Sequence, residues 1–180
     1  MGHALNSSGI PRNEFFITTK LHPRDLGYES TKKAVATSLV NFATTYIDLV
    51  LLHYPRCFPG VCSQTEIHRT ELSGGWQAAW RALEDLLKLG SIRAIGVSNF
   101  DLSELEQMDP LPHVVQNWFD PFRQDRTVLE WATRSRVAYT SYSTLGGQWE
   151  HQEVDGGRRA NPVFVRCAAF PPLNYHISRL

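Results

Sequence analysis

Apolar positions along the chain follow two alternating rhythms. Five short runs, at 15–19, 47–52, 92–97, 114–118 and 137–142, are nearly continuous in apolar or β-prone residues. Runs without strict alternation belong to strands buried on both faces, as in parallel sheets. Between them apolar residues recur every three or four positions. Residues 30–43 place Val35, Leu39 and Phe42 on one side of a helix. Residues 76–89 place Trp76, Trp80, Leu83 and Leu87 on one stripe, with Ala79 and Leu86 beside it. Gly90 follows where a helix C-cap belongs. Asp101 with Glu104 has the spacing of a capping box and predicts a short helix over 102–108. Residues 127–134 carry Val128, Leu129, Trp131 and Ala132 and predict a further helix. Strand and helix thus alternate, which argues for an α/β fold with a parallel sheet and right-handed crossovers. Barrels and open sheets share that alternation.

Two stretches break the rhythm. Residues 56–75 hold Pro59, Gly60, Gly74 and Gly75 with no convincing period, and read as a long loop after the second strand. From about Gln148 the character changes: 151–161 is polar and glycine-containing, and 162–180 mixes apolar residues with Pro171-Pro172. The expected organisation is one region over 1–147 and a divergent tail over 148–180.

Every predicted strand delivers a polar group at or near its end. The first run leads into Lys20, the second into His53, and the third into Ser98 and Asn99. The fourth contains Gln116, and the fifth ends at Tyr142 and Ser143. In parallel α/β proteins the ligand site lies outside the carboxyl ends of the strands. Strand ends are wet in any fold, so one such residue means little. Five in succession are what a site assembled from several strands requires. Taken singly, Lys20 is a surface lysine or, if buried, a group with a tuned pKa able to form a Schiff base. His53 is a core histidine or a donor that orients a carbonyl. His22, His68, His113, His151 and His176 lack metal-ligand spacing and read as ordinary, so no metal is expected. The segment Gly96-Val97-Ser98-Asn99-Phe100 fits neither the Rossmann nor the P-loop pattern.

Composition narrows the classes. The 180 residues suffice for one domain with a sizeable core. They are few for a closed eight-stranded α/β barrel, which takes about 250. Formal net charge is zero, so neither nucleic acid nor an anionic membrane is expected as partner. No apolar run is long enough to span a bilayer. Three cysteines, Cys57, Cys62 and Cys167, form no CxxC pair, and no signal peptide is evident. Reduced thiols in a cytoplasmic protein are expected. The Asn6-Ser7-Ser8 sequon then stays unmodified. The final Ser178-Arg179-Leu180 approximates a peroxisomal address, a tripeptide match with which chance competes.

Several stretches together resemble the aldo-keto reductase family. They are Phe15-Phe16-Ile17-Thr18-Thr19-Lys20-Leu21, then Tyr46-Ile47-Asp48-Leu49-Val50-Leu51-Leu52-His53-Tyr54-Pro55, and the helix from Trp80 running into Gly90-Ser91-Ile92 and Gly96-Val97-Ser98-Asn99-Phe100. Gln116 and Tyr142-Ser143-Thr144-Leu145-Gly146 complete the set, with Thr144 in place of a usual proline. The resemblance implies a partial (β/α)₈ barrel of about five parallel strands, corresponding to the family's third through seventh. It implies reduction of aldehydes or ketones with NADP(H). By that match Lys20 and His53 are the lysine and histidine of the catalytic tetrad. Ser98, Asn99 and Gln116 hold the nicotinamide carboxamide, Tyr142 stacks on the nicotinamide ring, and Ser143 lies near the pyrophosphate.

The tetrad's Asp and Tyr are expected upstream of residue 1. The eighth strand and the basic motif for the adenosine 2′-phosphate have no counterpart here. A chain cut at both ends, with impaired turnover, follows from the resemblance. The rival expectation is a cofactor-binding regulatory module, as in the family's potassium-channel β-subunits. An unstable gene product and a Schiff-base lyase using Lys20 are the remaining alternatives.

Overall fold

The structure is a computed structural model in which residues 2–121 and 123–144 are described. The expected tail over 148–180 lies outside the described residues, as do Cys167, His151, His176 and the C-terminal tripeptide. Contacts divide the chain into two units. The first comprises 1–117 and 126–140, and the second 118–125 and 141–180.

Helix α1 (Gly2–Ser7) precedes strand β1 (Thr18–Leu21), helix α2 (Tyr28–Phe42) and strand β2 (Ile47–Leu52). Helices α3 (Gln64–Leu72) and α4 (Gly75–Lys88) lead to β3 (Ile92–Ser98), a single turn α5 (Leu102–Leu105) and β4 (Val114–Trp118). Helix α6 (Arg126–Ser135) and β5 (Ala138–Tyr142) follow. The strands form one five-stranded sheet in sequential order. The pairs β1–β2, β2–β3 and β3–β4 are parallel. Five strands alternating with helices in this order make a partial (β/α)₈ barrel, as the sequence resemblance implies.

The core explains the order. Val50 and Leu52 of β2, Ile95 and Val97 of β3 and Val115 of β4 are buried among Val35, Ala79, Trp80, Leu83 and Leu86 of the helices. The α4 stripe packs as its period demands. Its Trp80 Nε1 donates to the Pro110 carbonyl at 3.2 Å, and the Trp76 ring meets Phe100 edge-on at 5.5 Å. Helix α4 ends where Gly90 turns to a φ of 77°, with Ser91 N–H reaching back to the Leu86 carbonyl at 3.1 Å. At the amino ends of the strands Asp48 is buried. It accepts from Arg12 Nη2 at 2.6 Å and from Ile17 N–H at 2.9 Å. The Tyr46 ring lies under two guanidiniums, Arg12 at 3.9 Å and Arg93 at 3.7 Å. That end of a barrel serves stability, which leaves the carboxyl ends for chemistry.

Three expectations need correction. The first strand starts at Thr18, three residues later than its apolar run, because Phe16 is exposed and 12–14 form a 3₁₀ turn. Lys20 therefore sits inside β1 rather than after it. The loop 56–75 contains a helix, α3. Its apolar content is slight, but Ser63 and Glu66 form a reciprocal capping box that starts it without a periodic face. Finally, Cys57 and Cys62 are joined in a disulfide rather than held as free thiols. A turn at Pro59-Gly60 brings them together: the N–H groups of Val61 and Cys62 both donate to the Phe58 carbonyl. The separation of five residues has no CxxC signature to announce it.

Candidate active site

Pleat parity gathers the candidates. Successive side chains of a strand alternate faces, and partners in register share a face. Register pairs Thr18 with Leu49 and Lys20 with Leu51. It pairs Leu51 with Gly96, and Ser98 with Gln116. Lys20, Ser98 and Gln116 thus share the face opposite Val50, Leu52, Ile95 and Val97. His53 follows Leu52 in the same phase, its N–H donating to the Leu21 carbonyl at 3.1 Å. His22, two residues beyond Lys20, is in phase as well and stands beside His53.

Backbone and amide bonds fix the middle of the site. Asn99 adopts a φ of 60°, a left-handed conformation that Asn tolerates better than most residues. Its Nδ2 donates to the His53 carbonyl at 2.9 Å and to the Ser98 hydroxyl oxygen at 3.2 Å. One side chain therefore ties β3 to the end of β2. Asn117 clamps the same turn from β4. Its Oδ1 accepts from Asn99 N–H at 2.7 Å, and its Nδ2 donates to the Phe100 carbonyl at 2.8 Å. Ser98 is fully buried, and Gln116 is half-buried with no hydrogen-bond partner for its amide among the described residues.

The electrostatics couple Lys20 to His53. Burial holds the Lys20 ammonium below the usual lysine value. Burial also holds His53 below the usual histidine value, with Lys20 and then His22 adding positive charge nearby. Register agrees: Lys20 lies opposite Leu51, and the residue after it, Leu21, accepts from the His53 N–H. Among the described residues the ring nitrogens of His53 have no protein partner, so a neutral imidazole there keeps a free N–H. The His53 ring packs on Tyr54 at 4.8 Å, and Tyr54 meets Phe58 edge-on at 5.2 Å. His22 Nδ1 accepts from Arg24 N–H at 3.2 Å, which places its own proton on Nε2.

Of the residues singled out in the sequence, Lys20, His53, Ser98, Asn99 and Gln116 come together in the first unit. Tyr142 and Ser143 belong to the second. There the Tyr142 ring lies 5.9 Å from Trp118, and its carbonyl accepts from Phe119 N–H at 3.4 Å. Ser143 has a φ of 54°. Sequence alone marks His22 as an ordinary histidine and Asn117 as a polar neighbour of Gln116, and assigns neither to the site. His22 carries a signal, its two-residue offset from Lys20. Asn117 carries one too: a polar residue in the helix-facing phase of a buried strand requires a partner. Among the described residues no group of three His, Cys, Asp or Glu side chains could hold a metal ion.

The profile of the Aldo/keto reductase family matches residues 1–166. The chain belongs to that family. Glyoxal reductase of Bacillus subtilis (strain 168) is 33% identical over 159 residues, covering 86% of this chain and 52% of that protein. Methylglyoxal reductase DkgB of Salmonella typhi is 33% identical over 150 residues, 81% of this chain and 51% of that protein. Among solved structures, an aldo/keto reductase from Brucella melitensis superposes with a TM-score of 0.69 at 34% identity, covering 81% of this chain and 53% of that one. A point mutant of Gox0644 in complex with NADPH gives 0.67 at 29% identity, with 84% and 51% covered. The chain spans about half the length of the relatives it matches.

Proposed function

We propose that this chain carries the carbonyl-orienting and nicotinamide-holding part of an NADP(H)-dependent reductase of aldehydes and ketones, and that turnover by the chain alone is slight. The carrying observation is that Lys20, His53, Ser98 and Gln116 reach one face from four successive parallel strands. Further support comes from relatives named for glyoxal and methylglyoxal reduction and from a similar structure holding NADPH.

The donor set suits a nicotinamide carboxamide, which needs one donor and offers two. Gln116 has a free donor and acceptor and Ser98 adds a hydroxyl, with Asn99 fixing the turn beside them. A reduced nicotinamide bound there supplies hydride to a carbonyl carbon. The protein's own part is orientation and charge. The His53 N–H donates to the carbonyl oxygen, and its low basicity keeps it neutral for that task. Lys20 supplies the positive charge beside it. No tyrosine among the described residues stands in the context of the family's proton donor, and loss of a general acid costs about 10²- to 10⁴-fold.

A second reading, a cofactor-binding module without turnover, is favoured by the same contrast between an intact carboxamide cradle and an unmatched proton donor. Titration with NADPH, followed by tryptophan fluorescence, separates these readings. Saturable binding is expected, weakened about tenfold in Gln116→Ala by loss of roughly 1.4 kcal/mol of hydrogen bonding. Slow methylglyoxal reduction that His53→Gln abolishes supports the reductase. Binding with no turnover supports the module. No binding of NADPH sinks both, and turnover at ordinary reductase rates sinks the claim of impairment.

A further inference from the structure

Directly beyond His53 the chain makes a closed covalent loop. Tyr54, Pro55 and Arg56 lead into Cys57, whose disulfide to Cys62 encloses Phe58, Pro59, Gly60 and Val61. The loop is held at both ends. Arg56 pairs with the buried carboxylate of Glu104, and Ser63 begins the capping box of α3. Within it, Phe58 packs on Tyr54 and Tyr54 on the His53 ring. A chain of ring contacts, one tilted and one edge-on, therefore connects the disulfide loop to a residue of the candidate site.

We infer that Cys57 and Cys62 form a reversible redox modification site whose state sets the aromatic cover over His53. The geometry favours reversibility. The two hydrogen bonds from the Val61 and Cys62 N–H groups to the Phe58 carbonyl hold the turn without the bond, so reduced thiols stay close enough to pair again. The Cα atoms stand 5.7 Å apart, inside the range a disulfide spans. Access is unequal: Cys57 is 8% exposed, and Cys62 is the more open of the two.

A dithiol reductant therefore attacks the Cys62 sulfur as thiolate. The Cys57–Cys62 bond breaks, and Cys57 leaves as thiolate and takes a proton. The reductant's second thiol then displaces Cys62, so two electrons pass from dithiol to protein disulfide. A small-molecule disulfide reverses the sequence, taking two electrons and leaving with two protons. In a reducing compartment such bonds are typically transient and redox-sensing.

Reduction removes the covalent closure: the 58–62 turn keeps its backbone bonds, but the Phe58 ring gains freedom to turn and packs less firmly on Tyr54, and Tyr54 on His53. Burial is the first cause of the low His53 basicity, so reduction should raise its titration midpoint. Lys20 and His22, the charged or titratable groups that act on His53 besides burial, stay in place. The consequence for carbonyl binding rests on the function proposed above, but the modification itself does not.

The test uses the whole chain equilibrated with oxidised glutathione or with dithiothreitol. Differential alkylation and peptide mapping read the Cys57 and Cys62 thiols. Histidine-ring NMR reads the His53 midpoint, and NADPH titration is run separately. The expected result is a Cys57–Cys62 disulfide in oxidised protein and two alkylated thiols after dithiothreitol. A higher His53 midpoint should accompany the reduced form, and it should appear under both conditions in the Cys57→Ser, Cys62→Ser double variant. Phe58→Ala should raise the midpoint of the oxidised protein as well. Free Cys57 and Cys62 after glutathione, or a His53 midpoint indifferent to reduction, overturns the inference. Failure of NADPH to bind counts against the proposed function alone.

Discussion

A lysine and a histidine in one half-buried cluster report on each other through their protons. Burial is the largest cause of the low His53 basicity, and the Lys20 charge comes next. Lys20→Met removes the second cause and leaves the first. The His53 midpoint, followed by ring NMR, should rise in that variant yet remain below the ordinary value of about 6.5. A midpoint unchanged by Lys20→Met would mean that the two side chains do not share a face. The same shift has a sign for stability. Below about pH 6.5 the unfolded chain takes up the His53 proton before the folded one, so stability falls as pH drops through that window and levels off above it. Lys20→Met should make the acid-side loss shallower. In the sequence Lys20 and His53 were legible because each adjoins an apolar strand body. Asn117 stands out as polar beside Gln116, but its role is hidden, because it depends on which backbone atoms the Ser98–Asn99 turn leaves unpaired, and that turn needs a left-handed Asn99 that no neighbouring residue type announces.

At the scale of elements, the long apolar stripe of α4 and the unbroken apolar run of β2 were readable because burial forces a period. The edges of β1 and the existence of α3 were not. β1 is displaced by an exposed Phe16, and α3 is specified by its cap more than by an apolar face, so periodicity misses both. The β3–β4 pair depends on a residue whose meaning appears only across strands. A Cβ on Gly96 would collide with the Val114 carbonyl oxygen and come within 2.6 Å of Leu51 Cδ2. The register sets Gly96 opposite Leu51 on one side and Val114 on the other. The Leu51 side chain can turn aside, but the Val114 carbonyl belongs to β4 and cannot yield without moving that strand. Gly96→Ala should therefore destabilise the fold by about 1–3 kcal/mol, measured as a lower urea midpoint at unchanged m. It should also displace Ser98 from Gln116 and weaken NADPH binding. A variant as stable as the parent would show that the β3–β4 approach is looser than described.

At the scale of the whole molecule, the sequential sheet order leaves β1, among the described residues, with a neighbour on one side only, β2. Exposed strand edges template association with other chains unless charge, proline or cover blunts them. Lys20 within β1 and Pro23 after it supply part of that, but the surface before the strand is apolar. Phe16, immediately before it, is 71% exposed, and elsewhere in the same unit Ile10 and Val40 stand at 51% and 78%. Ile10 and Val40 line one open cavity of about 640 Å³ with Leu5, Phe15, Leu39 and Phe42. Apolar surface beside an open edge favours burial against another copy whenever none of the chain's own segments covers it. Concentration-dependent self-association is thus expected in sedimentation velocity. Phe16→Lys should weaken it, because burying a Phe side chain contributes roughly 2 kcal/mol, about thirtyfold in a dissociation constant. Gly96→Ala and Lys20→Met act on other faces and should leave association unchanged in any fraction that stays folded. A parent chain that sediments as a monomer at every concentration would mean that the β1 edge is already covered, and would direct attention to the segment that covers it.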